Sequence, residues 1–393
     1  MNFCDRYIQQ SVKLFFSFDV LTLLFRFQTH NLFFEANMAK RVSWFFLLAI
    51  VTMVLCSCRT LYHTETIVFY NNQIRFSGTF YKPLTSAPYP VIVIAHGSGT
   101  ADRNSFFYKP YGEYFSKHGI AVFIFDKRGV GDSEGVYDDS PDFQLLASDL
   151  KAAFQSLSSR NDIDKNKIGI VGISQAAWVL PITAQNLDGL SFVVCTSCPS
   201  VPPYESDLFQ KGRELIEAGY SQNDIDDILN YNRAVTEYVA TFVGREKVLQ
   251  MKHRFKDRQW FRDFNYNPDL SPEDTLKQPQ YDHYRNSTFD PMPFWNQVKT
   301  PVLFVYGSKD SHIPVVQSIK RLEDSIEADQ VNYRIKTYRN AGHLIQSVED
   351  SVESLKFSLF RFIKGRPQPI PEYLEFVRRW VLAPSQVDAD TVL

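Results

Sequence analysis

Continuous apolar stretches alternate along the chain with stretches in which apolar residues recur every three or four positions. The apolar stretches, such as 90–97 (PVIVIAHG) and 301–307 (PVLFVYG), are typical of strands buried on both faces of a parallel sheet. Helical spacing separates them, for example at Phe143, Leu146 and Leu150. This alternation predicts an α/β fold, in which helices cover both faces of a mostly parallel sheet.

Three parts of the chain depart from this alternation. Residues 64–83 contain two strand-like stretches, which we expect to form an antiparallel pair at one edge of the sheet. Residues 204–295 are polar, aromatic and helical in pattern, and we expect them to form an insertion over the sheet edge. The C-terminal residues 367–393 add one short amphipathic stretch.

The aromatic residues of the insertion have two interpretations. They could form an apolar entrance to a site, or they could pack the insertion against the core. The residues concerned are Trp260, Phe261, Phe264, Tyr266, Tyr281 and Tyr284.

Composition narrows the classes of partner. Hydrophobic residues make up 44% of the 393 residues, and the formal net charge is −2. The chain can therefore bury a large core, and its charge gives no reason to expect a nucleic-acid partner. Basic residues in the insertion are mixed with acidic ones, which is typical of a solvated helix face.

The N-terminal region has the pattern of an export signal. Residues 38–57 carry Lys40 and Arg41, then a predominantly apolar stretch of twelve residues, then small residues before Cys58. The apolar run is shorter than the roughly 20 residues of a membrane-spanning helix. The LCSC sequence resembles a bacterial lipoprotein signal, which implies cleavage before Cys58 and lipid attachment to its thiol.

We therefore expect translation to start at Met38, with residues 1–37 a mis-assigned leader. The mature protein would then be an extracytoplasmic, membrane-anchored lipoprotein on the periplasmic or cell-surface side. Plain secretion is the alternative. Two cysteines lie in the remaining sequence, as CTSC at 195–198. Without a second pair, Cys195 and Cys198 are interpreted as packing residues or an incidental disulfide rather than a redox or zinc site.

Ser174 lies between a predicted buried strand and a predicted helix, in the sequence GISQA. Such a reversal strains the backbone, and strain of this kind clusters at functional sites. The pattern matches the nucleophile elbow G-x-S-x-G, except that Ala176 replaces the last glycine. An ordinary strand–turn–helix junction is the alternative interpretation.

A serine hydroxyl needs a base, and the base needs a carboxylate to orient it. Asp310 follows the predicted strand PVLFVYG, and His343 follows the last predicted strand. Because the carboxyl ends of parallel strands lie at one edge of a sheet, we expect both side chains beside Ser174. Taken singly, Asp310 could be a helix N-terminal carboxylate and His343 a solvated loop residue.

An oxyanion intermediate also needs preorganised N–H donors. The sequence HGSG at 96–99 ends the first predicted parallel strand beside the elbow. We assign the backbone N–H groups of Ser98 and Gln175 to this role, with Gly97 as the alternative to Ser98. No metal and no cofactor is required by this chemistry.

Two longer motifs support the same interpretation. The sequence HGSGTADRN at 96–104 follows one strand, and DKRGVGDSEG at 126–135 follows the next. With GISQAA, GSKD and AGH, these motifs resemble the α/β-hydrolase superfamily, and within it the secreted serine esterases and serine aminopeptidase-like hydrolases. The resemblance implies an eight-stranded core with a helical cap inserted after the sixth strand. It also implies that three matching residues support the oxyanion loop, namely Asp102, Arg103 and Arg128.

The resemblance completes the predicted organisation of the chain. The expected segments are the leader 1–37, the lipoprotein signal 38–57, the core 58–203, the cap 204–295, the second part of the core 296–366 and the extension 367–393.

The sequence thus predicts a serine hydrolase, with a carboxylesterase on small or medium acyl esters as the first hypothesis. A serine peptidase of the aminopeptidase or prolyl type is the second, in which a cap carboxylate such as Glu205 or Asp207 would bind the substrate amine. A catalytically inactive relative that binds a partner at the surface is the third. The expected partner is a small-molecule ester, besides the membrane contact of the lipid anchor; the oligomeric state stays open.

Overall fold

A computed structural model describes residues 61–138, 142–263, 286–327, 331–348 and 368–384. The predicted leader, the signal sequence and Cys58 lie outside these residues, as do Phe264, Tyr266, Tyr281 and Tyr284 of the insertion. Among the described residues, no helix has both the length and the apolar character needed to cross a membrane.

The described part of the chain contains one sheet of eight strands in the order β1-β2-β4-β3-β5-β6-β7-β8. β1 and β2 form an antiparallel pair at one edge, and β2 is antiparallel to β4. All remaining neighbours are parallel. The α/β-hydrolase fold and the antiparallel edge predicted from the sequence are confirmed. The strands are β1 (Tyr62–Asn71), β2 (Ile74–Pro83), β3 (Tyr89–Ala95), β4 (Ala121–Phe125), β5 (Ile163–Ile173), β6 (Phe192–Thr196), β7 (Val302–Gly307) and β8 (Tyr333–Tyr338).

Helices cover both faces of the sheet because the central strands are apolar on both sides. Val91 and Val93 of β3 pack into one core, and Ile92 and Ile94 pack into the other. The helices described are α1 (Lys109–Lys117), α2 (Phe143–Ser158), α3 (Ala176–Gln185), α4 (Pro203–Glu217), α5 (Gln222–Thr241), α6 (Arg245–Phe255), α7 (Gln259–Asp263), α8 (Met292–Trp295), α9 (Val315–Ser325) and α10 (Pro371–Leu382).

α10 gives the C-terminal extension a structural role. Its apolar residues Val377 and Trp380 lie in the same core as α1. The hydroxyl of Tyr373 lies 3.0 Å from that of Tyr111 and 2.6 Å from Oγ1 of Thr196, at the end of β6. The extension therefore packs against the sheet near the carboxyl ends of its strands.

Helices α4 to α7, which follow β6, form a separate hydrophobic core. Tyr231 and Tyr238 of α5 are buried together with Phe255, Trp260 and Phe261. Trp260 and Phe261, the two of these aromatic residues that are described, therefore pack within the insertion itself rather than against the core of the sheet.

Candidate active site

Ser174 lies in a strained turn between β5 and α3. Its φ is 56°, a left-handed value that non-glycine residues rarely adopt. Its N–H donates to the carbonyl of Thr196 at 3.1 Å, which anchors the turn to the end of β6. The half-buried side chain thus lies at the carboxyl edge of the sheet, where open α/β sheets bind ligands.

Gly172 explains how β5 and α3 come close enough to form this turn. A Cβ atom at Gly172 would lie 2.6 Å from Cβ of Ala176 and 2.6 Å from Cδ1 of Leu180. Ala176 itself is fully buried. The alanine that replaces the last glycine of the motif is thus accommodated, while the first glycine position has no room for a side chain.

Asp310 and His343 form an oriented acid–base pair. Nδ1 of His343 donates to Oδ2 of Asp310 at 2.8 Å, and the Asp310 side chain is fully buried. The other oxygen, Oδ1, accepts the N–H groups of His312 at 2.8 Å and Ile313 at 3.3 Å. Because both oxygens are bonded, the carboxylate holds the imidazole in one orientation, which leaves Nε2 as the ring nitrogen that can exchange a proton.

Gly307 brings the two loops of this pair together. A Cβ atom there would lie 2.3 Å from the carbonyl oxygen of Ala341 and 2.5 Å from that of Gly342. The N–H of Lys309 also donates to Ala341 at 2.9 Å. The backbone before Asp310 and the backbone before His343 are therefore in direct contact. Sequence reasoning missed this glycine, although its place at the end of a strand was a usable signal.

His312 is a second residue that sequence reasoning did not assign to the site. Its ring stacks on that of His343, with centroids 4.8 Å apart and planes inclined by 29°. Burial lowers the pKa of His312, electrostatic repulsion from the neighbouring His343 ring acts in the same direction, and Asp310 acts in the opposite direction. Donor atoms of His312, His343 and Asp310 lie within 4.8 Å of one another, the closest approach to a set of metal ligands in the described chain.

The loop at 96–99, predicted to form the oxyanion hole, lies against the Ser174 turn. A Cβ atom at Gly97 would lie 3.5 Å from Cβ of Ser174. The Gly97 N–H already donates to the hydroxyl of Tyr108 at 2.7 Å. The next residue, Ser98, is exposed, and Gln175, directly after Ser174, is the N-cap residue of α3.

Lys127 lies behind this loop and was also missed, although it is part of the DKRG motif. It is 5% exposed, and its ammonium donates to the carbonyl of Gly97 and to Oε1 of Gln175, both at 2.9 Å. His96 lies beside it and donates from Nε2 to the carbonyl of Phe125 at 2.6 Å. Burial, assisted by the Lys127 charge, lowers the pKa of His96 to about 3, so this histidine is a neutral structural residue.

Arg103 and Arg128, which the resemblance assigns to support of the oxyanion loop, both take part in ion pairs. The Arg103 N–H donates to Oδ1 of Asp126 at 2.8 Å, and its guanidinium also pairs with Asp132. Arg128 binds Asp149 through Nε at 2.9 Å. Burial raises the pKa of Asp126 and of Asp149, and the arginines counteract this shift. Asp102 accepts the N–H of Asn104 at 2.8 Å, within the same loop.

The alternative candidates lie in different surroundings. Glu205 is bound by the guanidinium of Arg233 through two contacts of 3.2 and 3.1 Å, and Asp207 is exposed on α4. Cys195 and Cys198 are buried free thiols. Of the two roles considered for these cysteines, packing therefore applies, and the incidental disulfide is not present.

Comparison with known proteins assigns the chain to a family. A model of the hydrolase family described as serine aminopeptidase, S33, matches residues 86–350. The quorum-quenching protein AidA of Acinetobacter baumannii is 32% identical over 183 residues, which is 47% of this chain. The match spans 55% of AidA, about half its length.

A second relative aligns over more of the chain. The thiohydrolase aneE of Aspergillus aculeatus is 27% identical over 302 residues, covering 74% of this chain and 89% of aneE. Among solved structures, the esterase Pf2001 of Pyrococcus furiosus has a TM-score of 0.48 at 16% identity and covers 82% of this chain and 90% of its own.

Proposed function

Because the chain belongs to the S33 serine aminopeptidase family of α/β-hydrolases, we propose that it is a serine hydrolase with Ser174 as nucleophile. We further propose that its substrates are carboxylic esters with small or medium acyl groups. The observation that carries the proposal is the bonded Asp310–His343 pair at the same sheet edge as the strained Ser174 turn.

The reaction follows from these groups. Nε2 of His343 takes the proton of the Ser174 hydroxyl as Oγ attacks the ester carbonyl. Asp310 holds the imidazole in the productive tautomer and stabilises the imidazolium. His343 then gives this proton to the leaving alcohol, and an acyl-enzyme remains on Ser174. In the second half of the reaction His343 takes a proton from water, which attacks the acyl carbonyl, and returns it to Oγ of Ser174 as the acid is released.

The oxyanion of each tetrahedral intermediate would be held by the N–H groups of Ser98 and Gln175. The hydrogen bond from Gly97 to Tyr108 favours Ser98 over its neighbour, since the Gly97 N–H already has a partner. Gln175 is the N-cap residue that directly precedes α3, and the helix dipole adds positive potential at that point. Loss of one such donor lowers kcat by roughly 10²- to 10³-fold in enzymes of this type.

The environment of Glu205 favours the ester reaction over aminopeptidase activity. An aminopeptidase binds a substrate ammonium with a carboxylate, and Glu205 is already neutralised by the two contacts from Arg233. Asp207, the other carboxylate considered, is exposed on α4. A peptidase remains the second candidate because the family description itself names that activity.

The first test compares two substrate classes on the purified protein. We expect turnover of short-chain nitrophenyl esters and of the matching thioesters, and little turnover of aminoacyl nitroanilides. Ser174→Ala should remove the activity, whereas Ser159→Ala, at the exposed end of α2, should leave it unchanged. Turnover confined to the anilides would favour the peptidase. If neither substrate shows turnover that depends on Ser174, the third hypothesis, an inactive relative that binds a partner, would be favoured.

The cellular location is a separate proposal that depends on the N-terminal sequence. We propose cleavage before Cys58 and lipid attachment to its thiol, with the catalytic domain outside the cytoplasm. Metabolic labelling with an alkyne fatty acid should mark the wild-type protein and not Cys58→Ala. Equal labelling of both would contradict the anchor, and precursor peptides from residues 1–37 would contradict a start at Met38.

A further inference from the structure

Lys127 occupies an unusual position for a lysine, because its side chain is buried directly behind the oxyanion loop. Its residue exposure is 5%, and it follows β4 in the DKRG motif. Lysines are almost never fully buried unless they are paired. Its ammonium donates to the carbonyls of Gly97 at 2.9 Å and Gly99 at 3.4 Å, and to Oε1 of Gln175 at 2.9 Å.

The contact with Gly97 reaches the first oxyanion donor through one peptide group. The carbonyl of Gly97 and the N–H of Ser98 belong to the same amide. A charged donor on the carbonyl oxygen withdraws electron density from that amide, and hydrogen bonds linked in this way strengthen one another. The N–H of Ser98 is therefore a stronger donor when Lys127 is in place.

The contact with Gln175 connects Lys127 to the second donor. Gln175 supplies its backbone N–H at the start of α3, and its side chain is held by the lysine. One ammonium thus links the loop after β3 to the turn after β5, which are the two segments that must keep a fixed separation around an oxyanion. Its positive charge also lies in a buried environment, where electrostatic interactions are stronger than in water.

We propose that Lys127 is a positioning residue of the oxyanion hole, which fixes the N–H groups of Ser98 and Gln175 and increases their strength as donors. The inference rests on the proposed serine hydrolase function and adds to it a residue that stabilises the transition state without touching the substrate. Its charge reaches the neighbouring His96, where it adds to the burial that lowers the pKa of that ring.

The test uses two substitutions of different chemistry. Lys127→Met removes the charge and the hydrogen-bond donors but keeps an unbranched side chain of similar length. Lys127→Gln keeps a neutral donor. Lys320→Met, on the exposed surface of α9, is the matched control. Circular dichroism and thermal unfolding establish that each variant folds, and Lys127→Gln provides the comparison if Lys127→Met does not fold.

We expect Lys127→Met to lower kcat on a nitrophenyl ester by about ten- to a hundredfold. This decrease does not exceed the roughly 10²- to 10³-fold decrease that follows the loss of a whole oxyanion donor. KM should change little. Affinity for an alkyl trifluoromethyl ketone, which forms a tetrahedral oxyanion with Ser174, should fall in parallel with kcat/KM. Affinity for the corresponding methyl ketone should be retained, and Lys127→Gln should lie between wild type and Lys127→Met.

Two results would overturn the inference. One is a wild-type kcat in Lys127→Met. The other is an equal loss of affinity for both ketones, which indicates general damage to the pocket. Both differ from a failure of the proposed function, which would appear as turnover that survives Ser174→Ala in the otherwise unmodified protein.

Discussion

The His343 ring nitrogen Nδ1 lies 2.8 Å from Oδ2 of Asp310, although the two residues are 33 positions apart in sequence. The two residues lie on the loops after β8 and β7, neighbouring parallel strands of the sheet. Their contact depends on Gly307, where the two loops approach too closely for a side chain. The sheet therefore creates the pair by placing the carboxyl ends of two strands side by side.

Replacing Asp310 with Asn should lower kcat by about 10⁴-fold, the effect of the corresponding change in serine proteases that use a Ser-His-Asp triad. The amide has nearly the shape of the carboxylate but donates toward the ring and stabilises the wrong tautomer. Asp324→Asn, exposed on α9, is the control and should keep its activity. Steady-state kinetics on a nitrophenyl ester provide the measurement. A loss of less than tenfold in Asp310→Asn would remove Asp310 from the mechanism.

Replacing Gly172 with Ala should destabilise the protein by about 1–3 kcal/mol, the usual cost of overpacking a core. The added methyl group would meet Ala176 and Leu180 at 2.6 Å each. In an Ala176→Gly background one of these contacts disappears, so the same substitution should cost less. Urea denaturation of the four proteins in this double-mutant cycle gives the coupling energy. Equal costs in both backgrounds would show that Ala176 does not limit the space.

Stability should fall as the pH decreases below about 6.5, partly because of His96. The pKa of this ring is about 3 in the folded protein and 6.5 in its ordinary state. Below about pH 6.5 the unfolded chain therefore binds a proton at this ring, whereas the folded protein does not. This difference lowers the free energy of unfolding by up to about 1.4 kcal/mol for each unit by which the pH falls. This is the expected sign for a group whose pKa is depressed by folding.

His96→Gln isolates this contribution, since Gln can donate to the same Phe125 carbonyl but does not titrate. Between pH 7.5 and pH 5, the wild type should lose about 2 kcal/mol more stability than His96→Gln. Urea denaturation at the two pH values measures the difference. Parallel losses in the two proteins would show that His96 is protonated in the folded state above pH 5.

Replacing Arg128 with Met should destabilise the protein by about 3–5 kcal/mol, because it leaves a buried charge without its partner. The partner is Asp149, whose side chain is 3% exposed and also accepts a hydrogen bond from Asn71 at 2.7 Å. Arg213→Met removes an exposed contact with Glu217 and should cost less than about 1 kcal/mol. Chemical denaturation measures both variants.

The pH dependence of Arg128→Met provides an internal check. Burial already raises the pKa of Asp149, and loss of the guanidinium should raise it further. The penalty in Arg128→Met should therefore shrink as the pH falls and Asp149 becomes protonated. A penalty that is constant from pH 7.5 to pH 5 would show that the pair contributes packing rather than charge compensation.

The apolar pattern was sufficient to predict the sheet and the segments that meet at its carboxyl edge. Buried parallel strands are recognised in the sequence by continuous apolar runs, as in β3 and β7. Ser174, Asp310 and His343 were chosen because each follows the end of a predicted strand. The cap of α2 is a local detail that the apolar pattern does not give: Asp142 precedes the helix, and its side chain accepts the Gln144 N–H.

Contacts between distant segments could not be read from the chain. Lys127 follows a strand as an ordinary motif residue, and only the approach of β3 and β5 shows that its ammonium meets Gly97 and Gln175. The stacking of His312 on His343 likewise depends on the relative position of two loops. The pairing of Glu205 with Arg233 connects α4 to α5 and requires the helices to be packed. Propensity and spacing carry no information on such distances.

Trapping the acyl-enzyme tests the central claim most directly. The protein is mixed with a nitrophenyl ester, quenched in acid within the first turnover, digested and analysed by mass spectrometry, with Ser174→Ala in parallel. We expect the acyl group on the peptide that contains Ser174 in the wild type, and no acylated peptide from the variant. An acyl group on another residue would contradict Ser174 as the nucleophile. Product release in the wild type without any acylated peptide would contradict it as well.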